Sequence, residues 1–356
     1  MAEAAAMTVQ EEKSKRYGSL DGLRAYAIIG IVLMHVYTNS GYQIGGFLFN
    51  SLIPAFTNFV FLFMMVSGFG MCCGYFDKIL EHRITLEEFY SKRYAKIWPF
   101  FALLCILDWV MSPSVHTLYE VFANLTLCQE LLPNANIQVI GVSWTLGVIF
   151  VFYLLFPFFC YLLSRKKRAW LTFAVALIFH MLCIIYFFDA NHVPENFSAR
   201  TSFIYCAVYF VMGGLVYLYR DKLSEIADKY RFALFFMCIV LAVLYFVVGA
   251  SIVTILPLSA ALLIYAIGRS DQRGILCNPV TKFISGISFE VYLCHMAVYR
   301  VLEKCGFIHL FGNEFISYCL TAMGTIGGSI LFSLCAKWVL GKAAKLIKQF
   351  KEKSYG

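Results

Sequence analysis

Hydrophobic residues along this chain come in long blocks, at about 20–37, 54–74, 97–112, 144–163, 170–189, 202–219, 232–250, 252–268, 283–302 and 316–340. A helix rises about 1.5 Å per residue, so blocks of this size match a hydrocarbon layer of about 30 Å, with a short one or two bent or partly re-entrant. The pattern predicts an all-α integral membrane protein, a bundle of about ten transmembrane helices. Between the blocks lie polar stretches, several of them basic.

The first block, SLDGLRAYAIIGIVLMHV (Ser19–Val36), carries Arg24 and His35 within what the pattern makes a membrane span. Their separation is very nearly three full turns, so both side chains share one helix face, roughly 16 Å apart along the axis. Ionisable groups are expensive in hydrocarbon, so that face should meet protein or water. The plainer reading has Arg24 snorkelling to headgroups or pairing with Asp21, and His35 packed in the core. The functional one has Arg24 meeting an anion and His35 moving a proton.

A second polar set lies in the ninth block, where Ser285, Ser288, Tyr292, His295 and Tyr299 fall on one stripe and Glu290 is offset from it. A lone intramembrane Glu is costly enough to point to a role. Ser288 and His295 are about 10 Å apart along a helix, too far for a direct hydrogen bond. Tyr292 and His295 therefore read as orienting or substrate-contacting groups. Arg93 and Lys96 point the same way from the start of the third block, either as ordinary interfacial cations or as a phosphate clamp beside Arg24.

Composition closes off the soluble classes, with 61% hydrophobic and 14% charged residues. The net charge of +8 would suit nucleic acid, but the placement of the basic residues excludes it. Alternate connecting segments, from the N-terminal tail (Lys13, Lys15, Arg16) to the tail beginning at Lys337, hold 25 of the 29 Lys and Arg. The opposite segments hold only Arg200, Arg300 and Lys304. This positive-inside bias places both termini in the cytoplasm. The 13 cysteines lie mostly in apolar blocks without C-x-x-C spacing and read as small hydrophobes. Neither a metal-ligand cluster nor a Walker-type glycine loop is evident. The leading apolar run has no small-residue cleavage site and is expected to stay as the first helix.

In order, residues 1–18 form a polar lead-in, 19–341 the membrane domain and 342–356 a basic tail suited to anionic headgroups. Ser67 and Gly68, and VMGGLVY (Val211–Tyr217), offer small-residue contact surfaces. Asp77–Arg93 mixes charges with Ile79, Leu80, Ile84, Leu86 and Phe89, as an amphipathic helix on the inner surface would. The segment 113–143 has no Lys or Arg and is the expected cover of an outward-facing site.

Five of these stretches, in order, resemble the acyltransferase-3 family of polytopic bacterial O-acyltransferases. They are LDGLRAYAIIGIVLMH, FMMVSGF (Phe63–Phe69), FYSKRYAKIWPFF, WTLGVIFVFYLLFP (Trp144–Pro157) and SFEVYLCH (Ser288–His295). The resemblance runs from about 17 to 345. It implies a multi-pass protein of the bacterial cytoplasmic membrane that moves an acetyl group from acetyl-CoA to a hydroxyl of a cell-surface or exported glycan, or of a lipid-linked sugar. By the same resemblance, Arg24, Arg93 and Lys96 hold the phosphates of coenzyme A and His35 is general base, oriented by Glu290 or Tyr292 with His295 in the same catalytic set, or else carries the acyl group itself as an intermediate. Ser288 and Trp144 are the expected substrate contacts, and no metal is implied. Two positions depart from the family pattern: Lys96 replaces an arginine, and Ile149 stands where a glutamate often follows the tryptophan. Two alternatives stay open, a transporter or flippase whose charged stripes line a solute path, and a catalytically inactive relative in an envelope complex.

Overall fold

The described residues of the computed structural model are 17–131, 139–189, 191–193, 197–268 and 273–354, and among them the secondary structure is helical, with no strand. The expected lead-in up to residue 16, with Lys13, Lys15 and Arg16, lies outside them, as does Arg269.

Helix α1 (Ser19–Ser40) stops at Gly41, whose φ of 74° is in the left-handed region that favours glycine. There follow α2 (Leu48–Leu80), α3 (Leu86–Met111), α4 (Val115–Leu125), α5 (Trp144–Leu163) and α6 (Lys166–Phe187). After these come α7 (Phe203–Leu218), α8 (Arg220–Lys229), α9 (Arg231–Val248) and α10 (Ile252–Gly268). The chain ends in α11 (Pro279–Gly286), α12 (Ser288–Lys304) and α13 (Glu314–Ser354). Among the described residues seven of these, α1, α2, α3, α5, α6, α9 and α13, are long and apolar enough to cross a membrane. Taken together as one span, the bent pair α7 and α8 would make an eighth. The expected blocks at 202–219, 252–268 and 283–302 are present as helices. However, α7 turns through 79° into α8, α10 is shorter, and the last block is split.

The split has a local cause. Asn278 and Thr281 form a reciprocal capping box, with Thr281 N–H on Asn278 Oδ1 (2.9 Å) and Asn278 N–H on Thr281 Oγ1 (3.1 Å), and Pro279 occupies the first helical position. This starts a separate short helix, which ends at Gly286, a poor helix former, with Ile287 leaving helical geometry (φ −124°, ψ 8°). The stripe expected from Ser285 onward is therefore divided between two helices.

The basic stretch also differs from expectation. Instead of an amphipathic helix over Asp77–Arg93, α2 runs on to Leu80 and α3 begins at Leu86. Thr85 caps α3 by accepting the Glu88 N–H (3.1 Å), and Glu87 and Glu88 sit where the helix dipole favours acids. Arg93 and Lys96 consequently lie inside a long helix, not in a loop. Likewise 220–229 is helix α8, the outer segment contains α4, and α13 continues unbroken through the expected boundary at 341 to Ser354.

Buried shares order the bundle: 67% of the apolar window of α1 is buried, against 17% for α6 and 11% for α9. Helix α1 is thus central, and α6 and α9 face the lipid. Because lipid tails are as apolar as the core, close packing must hold such helices together. It is closest between α2 and α7, as Ser67–Gly68 and the glycine pair of VMGGLVY predict. A Cβ on Gly68 would stand 2.5 Å from the Phe210 carbonyl oxygen, and one on Gly213 would stand 2.1 Å from that of Met65. Stacked rings flank this crossing, Phe61 on Tyr209 (4.5 Å) and Phe152 on Phe210 (4.2 Å). All thirteen cysteines are free.

Candidate active site

A cavity of about 680 Å³ lies where α1, α2, α3, α5, α11, α12 and α13 converge. That is within the usual range for a small-molecule site. Five cationic side chains, Arg24, Arg93, Lys96, Lys282 and Lys337, line it against two carboxylates, Asp21 and Glu290.

Each carboxylate is already beside a cation. Asp21 lies 3.9 Å from Arg24 and accepts the Ser285 hydroxyl (2.8 Å), which ties the start of α1 to α11. Glu290 Oε1 is 3.1 Å from Lys337 Nζ, and the same ammonium donates to the Gly286 carbonyl (3.1 Å) at the α11–α12 break. The cavity therefore keeps a positive surplus suited to an anion.

Arg93 is the most elaborately held of the cations. Its guanidinium donates to the Tyr75 hydroxyl and to Met71 Sδ, and lies over the rings of Tyr75 at 4.6 Å and Tyr153 at 5.8 Å. Its Nε is buried with no partner, an unspent donor beside the cavity. Arg24 lies against Gly70, where a Cβ would be 3.3 Å from its Nη2, so the absence of a side chain there leaves it room. Lys96 shares the electrostatic environment of Arg93, Arg24, Glu290 and Lys337. The three cations expected to act together do share one cavity.

At the far side of the cavity stands Tyr292, whose hydroxyl is hydrogen-bonded to Thr145 Oγ1 on α5 (2.7 Å). Its ring is 5.9 Å from that of His295, which in turn is 5.1 Å from that of His35. Neither histidine lines the cavity, and Tyr292, which does, is in ring contact with His295. His295 is fully buried, with Nδ1 against the carbonyls of Tyr292 (2.7 Å) and Val291 (3.3 Å) and Nε2 without a partner. A carbonyl only accepts, so Nδ1 carries the hydrogen.

A family model described as an acyltransferase domain matches residues 17–334. The chain belongs to the acyltransferase-3 family. No curated relative and no solved structure matches it closely enough to add to this. An acyltransferase-3 protein with several apolar spans is a multi-pass membrane acyltransferase.

The other expected positions fall in different places. Ser288 lines the cavity, but its hydroxyl is given to the Ser285 carbonyl (2.9 Å). Trp144 lies outside the cavity wall under the Arg200 guanidinium (5.2 Å), and its neighbour Thr145 reaches the cavity instead. Ile149, the departure from the family pattern, is part of that wall. Among the described residues no carboxylate is within ion-pair distance of His35 or His295, and no group of three His, Cys, Asp or Glu is arranged to hold a metal.

Sequence reasoning passed over several site residues. Lys337 reads with the basic tail, Lys282 and Tyr75 with or at the edge of connecting segments, and Tyr153 with an apolar span. Arg200, one of three cations on the sparsely charged side, was given no role. It bonds Thr57 Oγ1 (3.0 Å) and the Thr57 carbonyl (2.8 Å), and acts electrostatically on both His35 and Tyr292. Its rarity on that side was the available signal.

Proposed function

We propose that this membrane acyltransferase moves an acetyl group from cytoplasmic acetyl-CoA to a hydroxyl of a cell-surface or exported glycan. The observation that carries the reading is that one cavity is lined by five cations and by Tyr292, whose ring contacts His295, which in turn contacts His35. In this reading the chain crosses a bacterial cytoplasmic membrane ten times, with α7, α10 and the α11–α12 pair as the three shorter crossings. Both termini then lie in the cytoplasm with the basic segments.

Arg24, Arg93 and Lys96 take the phosphates of coenzyme A, and the unpartnered Arg93 Nε supplies one of the donors. The thioester extends towards Tyr292. His35, reached by the acceptor from the opposite side, removes the hydroxyl proton as the oxygen attacks the acyl carbon. Arg200 adds positive potential where the oxyanion develops.

Transfer of labelled acetyl from acetyl-CoA by the purified protein in proteoliposomes tests this reading, together with mass spectrometry of surface polysaccharide from a deletion strain. His35→Ala should lower the rate by about 10²–10⁴-fold, the usual worth of a general base. Full activity in that variant would remove His35 from the mechanism. Absence of both coenzyme A binding and thioester turnover in the wild type would refute the function.

A further inference from the structure

The acyltransfer reading leaves His35 in need of a partner on its second ring nitrogen, and the usual choice, a carboxylate, is not at hand. Position 149 is isoleucine, Glu290 is held by Lys337 (3.1 Å), and no carboxylate among the described residues is within ion-pair distance of the His35 ring. The group that does face His35 is another imidazole. The two ring centroids are 5.1 Å apart with their planes tilted by 43°, a direct contact in which no hydrogen bond joins the rings. With Nδ1–H committed to the carbonyls of Tyr292 and Val291, the neutral His295 ring offers its remaining nitrogen, Nε2, as a lone pair. That atom is buried without any partner, a costly arrangement unless something uses it.

We infer that His295 is the positioning partner of His35: a turn of the His35 ring within their contact gives its N–H to the unpartnered Nε2 of His295, while the other His35 nitrogen takes the proton of the acceptor hydroxyl. The inference rests on the acyltransfer reading for its chemistry and on the ring geometry for its partners. In the step, the acceptor O–H bond breaks and its proton passes to the free His35 nitrogen. The oxygen forms a bond to the acyl carbon, and the carbon–sulfur bond then breaks. The departing thiolate takes the proton from His35, which restores the neutral ring and yields free coenzyme A. His295 is neutral throughout. Its fixed tautomer holds the His35 ring in one orientation, as a carboxylate does in the Ser-His-Asp arrangement.

The test compares His295→Leu with His295→Gln, whose side-chain carbonyl can accept a hydrogen bond near the original Nε2 position. His295→Leu should lower kcat by about 100-fold, with KM for acetyl-CoA within twofold of wild type, because the cations of the cavity are untouched. His295→Gln should recover at least a tenth of the wild-type kcat. Equal kcat values in the two variants, or a loss expressed in KM alone, would overturn the inference. A second readout does not depend on turnover: carbethoxylation of His35, followed by peptide mass spectrometry, should slow in His295→Leu and recover in His295→Gln. An unchanged rate in both overturns the pairing even if the Leu variant is poorly folded. A wild type with normal His35 reactivity but no thioester turnover would refute the acyltransfer reading and leave the pairing standing.

Discussion

Removing Lys337 separates two roles for Glu290. If Glu290 serves as the acid beside the catalytic histidine, Glu290→Gln should abolish turnover and Lys337→Met should leave it largely intact. The structure points instead to a lock: Lys337 on α13 holds Glu290 on α12 at 3.1 Å and the Gly286 carbonyl at the helix break at 3.1 Å. Glu290 is 14% exposed and Lys337 44%, so the pair lies between the buried and exposed limits. Breaking a buried pair costs about 3–5 kcal/mol and an exposed one less than about 1 kcal/mol, so a coupling of about 1–2 kcal/mol is expected after allowance for solvent around the lysine. Either single substitution should lower the unfolding midpoint in detergent, with Lys337→Met the more damaging because it leaves a carboxylate uncompensated. The double variant should recover most of that loss, since a neutral pair has no stranded charge. Acetyl transfer in Glu290→Gln should stay within about tenfold of wild type. Additive destabilisation in the cycle, or a kcat loss of about 10³-fold in Glu290→Gln alone, would refute the lock and return the carboxylate to the chemistry.

Arg93→Ala should raise KM for acetyl-CoA by about 10–100-fold, which is one charged hydrogen bond of about 1.5–3 kcal/mol at 1.4 kcal/mol per tenfold. Arg93→Lys should recover only part of it in steady-state kinetics, because an ammonium cannot reproduce both the Tyr75 bond and the planar stacking at 4.6 Å. Gly213→Ala should lower the unfolding midpoint, since its Cβ would stand 2.1 Å from a backbone oxygen, and over-packing costs about 1–3 kcal/mol or more where backbone must move. Gly74→Ala on α2, with nothing within 4 Å, should leave stability unchanged or raise it by up to about 1 kcal/mol.

Much of this was legible from spacing because helical periodicity is local. Arg24 and His35 were placed on one face of α1, and the structure puts Arg24 in the cavity and His35 beside the second histidine. Ser67–Gly68 and Val211–Tyr217 were marked as contact surfaces, and Gly68 and Gly213 do meet across α2 and α7. What escaped was long-range or decided by competition between local signals. The ninth block reads as one helix despite its polar stripe, and the break comes at Gly286, the end of a short helix that the Asn278–Thr281 box starts ahead of the block. Asp77–Arg93 has an amphipathic pattern, but the Thr85 cap begins a new helix within it. Lys337 reads as interfacial until α13 lays it against Glu290, and Arg200 reads as an isolated loop cation until it meets Trp144.

The glycine crossing between α2 and α7 has a mechanical consequence. Two helices whose backbones touch have no layer of side chains to shear past one another, so they behave as a single stiff post. Any widening of the cavity then falls to the helices on its other side. Those include α12 and α13, which are tied at the cavity by one ammonium bridging a carboxylate and a carbonyl, while Cys294 against Ser329 and Ser333 holds them deeper in.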